Sequence, residues 1–212
     1  MTDLPAGRFI TLEGGEGAGK STQIARLKDK LERLGHAVVA TREPGGAPGA
    51  EMVRKLLVEG PAERWDGTTE ALLHFAARRD HLRSTVWPAL KRGAWVISDR
   101  FADSTVAYQG YGYGVDRLML DKLYGIAVGD FRPDLTLILD LPVETGLGRA
   151  AARRGSETRY ESLAVDFHGR VRAGFLEIAT ADPGRCVLID ATRDIEAVAA
   201  AIAAAVRVRL GA

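Results

Sequence analysis

A parallel α/β fold is predicted for this 212-residue chain by three features of its sequence. Short, nearly all-apolar runs alternate with longer stretches of helical periodicity. The runs do not alternate apolar with polar, as strands do when one sheet face is wet, so helices are expected over both faces. A glycine-rich turn follows the first run and opens the first helical stretch, the order in which phosphate-binding strand–loop–helix units are built.

The first strand is expected at Phe9–Glu13. Ile24, Leu27, Leu31 and Leu34 then repeat at helical spacing, and Gly35 supplies the stop. Further strands are expected at Ala37–Thr41, Trp95–Ser98, Leu135–Asp140 and Cys186–Asp190. Long helical patterns cover Thr68–Leu90 and Asp116–Val128, and Ile195, Val198, Ile202, Val206 and Leu210 mark a last helix. Crossovers between such strands are right-handed, and ligands collect at the strands' carboxyl ends.

Length and composition suit one domain with a full core. A formal net charge of +1 gives no overall field to attract nucleic acid or an anionic membrane. Of the 29 basic residues only six are lysine, which favours the planar fork that grips phosphate. The one cysteine, Cys186, allows no internal disulfide, and a reducing cytoplasm is expected. Asp3, Pro5 and Arg8 interrupt any signal-peptide-like stretch, and the apolar run Ala197–Val206 is half a membrane span, so no membrane partner is expected. His36, His74, His81 and His168 lack the spacing of a zinc site.

Gly14-Gly15-Glu16-Gly17-Ala18-Gly19-Lys20-Ser21 fits G-x-x-x-x-G-K-S. Glycines let the backbone aim successive N–H groups at phosphate oxygens, and the helix that starts there adds its positive end. Lys20 is expected at the β- and γ-phosphates and the Ser21 hydroxyl on Mg²⁺. The fold class is therefore a three-layer P-loop NTPase fold, a central five-stranded parallel sheet flanked by helices, in a single domain. The chain contains no asparagine, so the Asn-Lys-x-Asp element of GTP switches is missing. The loop also contains no arginine, so transition-state cations must come from elsewhere. Arg149, Arg153, Arg154 and Arg159 crowd one stretch beside Gly155-Ser156. Arg149 and Arg153, a helical turn apart, face the same way.

Several segments, at these separations, resemble bacterial thymidylate kinases along nearly the whole chain. They are Phe9–Thr22, Thr41-Arg42-Glu43-Pro44-Gly45-Gly46, Ala76-Ala77-Arg78, Asp99-Arg100-Phe101, Ser104-Thr105-Val106-Ala107-Tyr108-Gln109-Gly110, Arg159-Tyr160-Glu161, Phe167-His168 and Val187-Leu188-Ile189-Asp190-Ala191. The resemblance implies the reaction ATP + dTMP → ADP + dTDP. It implies that Asp99 holds Mg²⁺ with Ser21, and that Arg100 clamps the acceptor phosphate. Gly14 to Thr22, with Arg193, would contact ATP. Glu16, Arg42, Glu43 and Pro44 would border the acceptor; Thr105, Tyr108 and Gln109 would meet its base and sugar. Tyr108 would exclude a ribose 2′-hydroxyl. For the base-stacking ring two registers stay open, His74 with Arg78 or Phe75 with Arg79. The resemblance also implies a mobile lid at about 149–161, in which Arg149 and Arg153 act on the transferring group, and a homodimer. The alternatives are a deoxynucleoside kinase, with Glu16 or Glu43 as base, and a non-catalytic ATP-dependent interaction protein.

Overall fold

The computed structural model describes residues 7–152 and 159–212. Among them five strands form one parallel sheet in the order β2-β3-β1-β4-β5. The strands are β1 (Phe9–Glu13), β2 (Val38–Arg42), β3 (Trp95–Asp99), β4 (Leu135–Asp140) and β5 (Cys186–Asp190). Three match the expected bounds; β3 reaches one residue further, and β2 starts and ends one residue later. That extension places Arg42 and Asp99 opposite each other at the carboxyl ends of neighbouring strands.

The helices that matter to the site are α1 (Lys20–Arg33), α2 (Pro48–Val58), α3 (Gly67–His81), α4 (Trp87–Lys91), α5 (Ala102–Thr105), α6 (Arg117–Ala127), α7 (Val143–Ala151), α8 (Val165–Ala181) and α9 (Ile195–Leu210). Successive residues of a strand face opposite sides, so β1 feeds both layers. Ile10 and Leu12 pack with Ile24, Leu27 and Leu31 of α1 and with Val198, Ile202 and Val206 of α9. Phe9 packs on the other side with Ala71, Phe75 and Leu82. Gly35, at φ +90°, ends α1 in the left-handed backbone that favours glycine. Asp194 caps α9 by accepting from the Ala197 N–H at 2.7 Å.

The pattern Thr68–Leu90 is helical throughout, but not uniformly α. α3 gives way at Leu82 to a π-type stretch, Leu82–Val86, before α4. A second π-type stretch, Val106–Gly112, follows α5. Such wide turns cluster at functional sites, and this one carries Tyr108 and Gln109. No described helix is long and apolar enough to cross a membrane.

Candidate active site

A cleft opens where the carboxyl ends of β1, β2 and β3 meet α1 and α3. Its lining includes Glu16 to Ser21, Arg42, Glu43, Pro44, His74, Asp99, Arg100, Tyr108, Gln109 and Tyr160. The glycine-rich loop side is mostly backbone. Gly14 has φ +130° and Gly17 φ +68°. A Cβ on Gly17 would strike the Gly146 carbonyl oxygen in α7, so only glycine lets loop and helix close together. Lys20 Nζ donates to Gly14 O at 3.0 Å and Gly15 O at 2.9 Å, which folds it over the loop. Burial first, and then Arg100, lowers its pKa to about 8 against the pull of Asp99 and Glu16; the ammonium is still charged at neutral pH.

Ser21 Oγ donates to Asp99 Oδ2 at 3.0 Å. A hydroxyl and a carboxylate beside a phosphate cradle are the hard oxygen donors that magnesium takes alongside phosphates and water. The pair therefore fits that ion, and no cluster of three or more His, Cys, Asp or Glu among the described residues suggests another metal.

Arg100 stands between the two halves. It is the one described non-glycine residue with positive φ, +69°. Holding an arginine there costs about 1–3 kcal/mol and requires over-determined surroundings. Its backbone N–H donates to Leu12 O at 2.9 Å, and Ser98 Oγ donates to its carbonyl at 2.8 Å. Nη1 donates to Gly14 O and Ser104 Oγ, both at 3.0 Å, and Nη2 to Glu16 Oε1 at 2.9 Å and the Tyr108 hydroxyl at 3.0 Å. Glu13 completes the brace, accepting from Phe101 N–H at 2.7 Å and Ser104 Oγ at 2.5 Å.

The two carboxylates of this stretch are driven in opposite directions. Burial, then Asp103, raises Glu13 to about 7 despite the bonds it accepts. Burial also acts to raise Glu16, but Arg100, Lys20 and the Tyr108 hydrogen bond outweigh it and hold Glu16 at about 2. Glu16 thus faces Arg100 and Tyr108, which explains how an acid is tolerated within the phosphate loop.

The side of the cleft away from the phosphate loop is backed by a set of buried charge pairs. Arg78 is 1% exposed. Its Nε donates to Glu43 Oε2 at 2.8 Å, and its Nη2 to Phe101 O at 3.1 Å and Thr105 Oγ1 at 3.0 Å. His81 Nδ1 lies 2.9 Å from the other Glu43 oxygen. Arg78 Nη1 is buried without a partner among the described residues. Thr105 is buried behind the cleft as a partner of Arg78. Arg42 is half exposed and donates to Glu51 Oε2 at 3.1 Å.

The two stacking registers separate in space. His74 lines the cleft, 3.2 Å from the Tyr160 hydroxyl through Nε2. Burial, then Arg78 and Arg100, lowers its pKa to about 3, so the ring is neutral. Phe75 faces the core, edge-on to Tyr124, with the Arg78 guanidinium 4.8 Å from its ring centre.

The two described arginines of the basic stretch, Arg149 and Arg159, do not lie together. Arg149 is exposed on α7, and its Nη1 donates to Ala191 O at 3.4 Å. Arg193 is exposed just beyond, between β5 and α9. Arg159 is withdrawn into the protein: its Nη2 donates to Glu70 Oε1 at 2.5 Å and its other nitrogens to Leu57 O and Pro61 O. It is a buried half of an ion pair, not a solvent-facing cation. Arg153, Arg154, Gly155 and Ser156 lie outside the described residues.

Sequence reasoning missed Glu13, Glu70 and Arg54. Glu13 ends an otherwise apolar strand next to the phosphate loop, which is a readable hint. Arg54 lines the cleft from α2 and donates to Pro44 O at 2.6 Å; nothing in its local sequence distinguishes it.

Comparison with known proteins gives the family. The family model described as thymidylate kinase matches residues 12–202. A thymidylate kinase of Caulobacter vibrioides is 57% identical over 208 residues, 98% of this chain and 100% of that protein. One from Rhodopseudomonas palustris is 56% identical, covering 96% of this chain and 90% of the relative. The crystal structure of thymidylate kinase from Ehrlichia chaffeensis superposes with a TM-score of 0.78 at 34% identity, covering 95% of this chain and all of that one. The chain belongs to the thymidylate kinase family, nucleoside monophosphate kinases whose function is phosphorylation of dTMP to dTDP.

Proposed function

We propose that the cleft carries out this family reaction directly, with ATP and magnesium, by in-line attack of a dTMP phosphate oxygen on the γ-phosphorus of ATP. The observation that carries the reading is Arg100, braced at φ +69° with its guanidinium against Gly14 O and Glu16 at the edge of the phosphate loop. A cation held there at a conformational cost suits a charged acceptor. A phosphate monoester loses its second proton near a pKa of about 6, so at neutral pH the nucleophile needs no base. Glu16, held at about 2, is too weak a base to take a proton from a hydroxyl acceptor. Glu43 is engaged by Arg78 and His81. Both facts count against a deoxynucleoside kinase.

In this reading the loop amides and Lys20 bind the donor phosphates, and Thr22 and Arg193 complete the ATP site. Ser21 and Asp99 would hold magnesium, which when bound neutralises charge on the bridging phosphate oxygens. Arg100 and Arg42 orient the acceptor phosphate, and Pro44 borders the sugar. Tyr108 occupies the position that excludes a 2′-hydroxyl. His74, neutral and in the cleft, stacks on the base, and Gln109 meets its polar edge, with Arg78 and Thr105 buried behind the cleft wall and Glu43 fixing Arg78. Residues 149–161 act as a lid that excludes water at closure, with Arg149 and Arg153 as its cations. Leu72 of α3 and Leu118 and Ile126 of α6, all exposed, support a homodimer through these helices. A cytoplasmic location accords with a lone, buried, unpaired cysteine.

An acceptor panel tests the reading. ADP release from ATP is expected with dTMP, and neither with thymidine nor without acceptor. Thymidine-dependent release would make the protein a nucleoside kinase. Release without any acceptor would favour an ATP-driven interaction protein.

A further inference from the structure

Glu70 sits in the first turn of α3 and is fully buried. Three donors converge on its carboxylate: Arg159 Nη2 at 2.5 Å, the Tyr160 hydroxyl at 2.8 Å and Gln109 Nε2 at 2.8 Å. Arg159 is itself pinned by the carbonyls of Leu57, at 3.1 Å, and Pro61, at 3.0 Å. The position of Glu70 is therefore set independently of Gln109.

A carboxylate only accepts hydrogen bonds, whereas a primary amide has one donating and one accepting end. With its NH₂ committed to Glu70, Gln109 cannot turn over. Its Oε1 is the remaining end, and that atom is buried with no partner among the described residues. Gln109 lines the cleft. A buried acceptor left unpaired costs about 1–3 kcal/mol, which a ligand donor would relieve.

From this we infer that Glu70 is a specificity-determining positioning residue. It locks the Gln109 carboxamide with its oxygen toward the acceptor nucleotide. The cleft then accepts a keto pyrimidine, which carries a hydrogen on N3, and rejects an amino pyrimidine, whose N3 is a bare acceptor. Two acceptors facing each other in a buried site leave both unpaired, and sites built around a hydrogen bond reject such mismatches far more strongly than apolar pockets reject a methylene. The inference rests on reading this cleft as the acceptor-nucleotide site. It adds a second role to the Arg159–Glu70 pair, which otherwise reads as a buried structural ion pair.

The test is the ratio of dTMP to dCMP affinity, measured by titration calorimetry on wild type, Glu70→Gln, Gln109→Ala and the double variant. In Glu70→Gln, Arg159 retains the oxygen of the new carboxamide, so the new NH₂ is turned toward Gln109 and forces its amide over. The dTMP:dCMP ratio should fall by at least about tenfold. In the Gln109→Ala background the same change at position 70 should leave the ratio where it was. A role confined to balancing Arg159 would weaken both nucleotides alike and leave the ratio intact, and that result overturns the inference. Should circular dichroism show Glu70→Gln unfolded, Glu70→Met/Arg159→Met replaces the pair with apolar chains, a change buried ion pairs often tolerate. That variant frees the Gln109 amide, so the same fall is expected, and an unchanged ratio again overturns the inference. A wild-type protein with no preference for dTMP over dCMP would remove the acceptor-site reading and this inference together. A wild-type preference that survives at position 70 removes the inference alone.

Discussion

The two halves of the cleft are built in different ways. The donor half, as proposed, is one continuous segment, Gly14–Ser21, that would recognise phosphate with backbone and depends on glycine geometry at Gly14 and Gly17. The acceptor half draws single side chains from β2, α3, the π-type stretch after α5 and the segment at 159–161. In the proposed reading carboxylates orient them: buried Glu43 for Arg78, partly buried Glu16 for Arg100 and buried Glu70 for Gln109. Triphosphate is common to many nucleotides, so backbone recognition suffices there. Choosing one acceptor needs side chains, and a buried side chain keeps one orientation only if its charge and hydrogen bonds are matched.

The halves should therefore fail differently when damaged. The largest effect is expected from Lys20→Ala, which removes the ammonium folded over the phosphate loop. Turnover should fall by about 10³-fold or more while the protein stays folded. Retention of more than about a tenth of the rate would mean that the loop does not hold the transferring phosphate.

Glu43→Ala should do the reverse, damaging the fold more than the donor site. It strands Arg78 at 1% exposure, and an uncompensated buried charge costs about 3–5 kcal/mol. Chemical denaturation should show that loss. A stability change under about 1 kcal/mol would mean that the pair is solvated and the acceptor half is not built on matched burial.

The pH behaviour of Glu13 and Glu16 sharpens the contrast within three residues. Glu16 has a depressed pKa, so its contribution to stability is present above 4.5 and is lost as pH falls toward about 2. Glu13 has a raised pKa. The stability it contributes is full below 4.5 and is lost as pH rises through about 7. In Glu13→Gln that second dependence disappears. The melting temperature of the variant, relative to wild type, should rise by a few degrees between about pH 4.5 and about pH 7, where about 1 kcal/mol is worth about 2–4 °C in a chain this size. A constant offset would show that Glu13 does not titrate in that window.

The smallest effect is expected at Tyr108→Phe. The hydroxyl donates to Glu16 at 2.8 Å and accepts from Arg100 at 3.0 Å, so its loss should cost about 1 kcal/mol of stability. Discrimination against ribonucleotides, which rests on the ring, should persist in Phe and fall in Ala. A Phe variant as stable as wild type would mean that the hydroxyl contributes nothing to the Arg100 brace.

This difference in construction also decides what the sequence could reveal. The sheet, its five strands and the donor loop were legible because each is encoded locally, in apolar runs and in one contiguous glycine motif. The Arg100 position was legible from its place after a strand, but its brace was not, because Glu13 and Ser104 come from other segments. Glu70 was illegible: a glutamate in the first turn of a helix reads as a solvated residue favourable to the helix dipole. Its burial depends on Arg159, 89 residues away. Arg159 in turn grouped with the candidate transition-state cations because Arg149, Arg153 and Arg154 closely precede it in sequence. The choice between His74 and Phe75 was undecidable locally, since adjacent residues on a helix of weak polarity contrast differ only in which side the rest of the fold covers.

Arg100 gives the most direct test that the cleft has separable donor and acceptor halves. Titration of ATP and of dTMP into Arg100→Ala should show dTMP affinity reduced about tenfold to a hundredfold, the worth of one or two hydrogen bonds to a charged group. ATP affinity should stay within about threefold of wild type, the spread left when no charge-assisted bond is lost. A collapse of ATP affinity with dTMP binding intact would contradict the account and invert the assignment of the two halves.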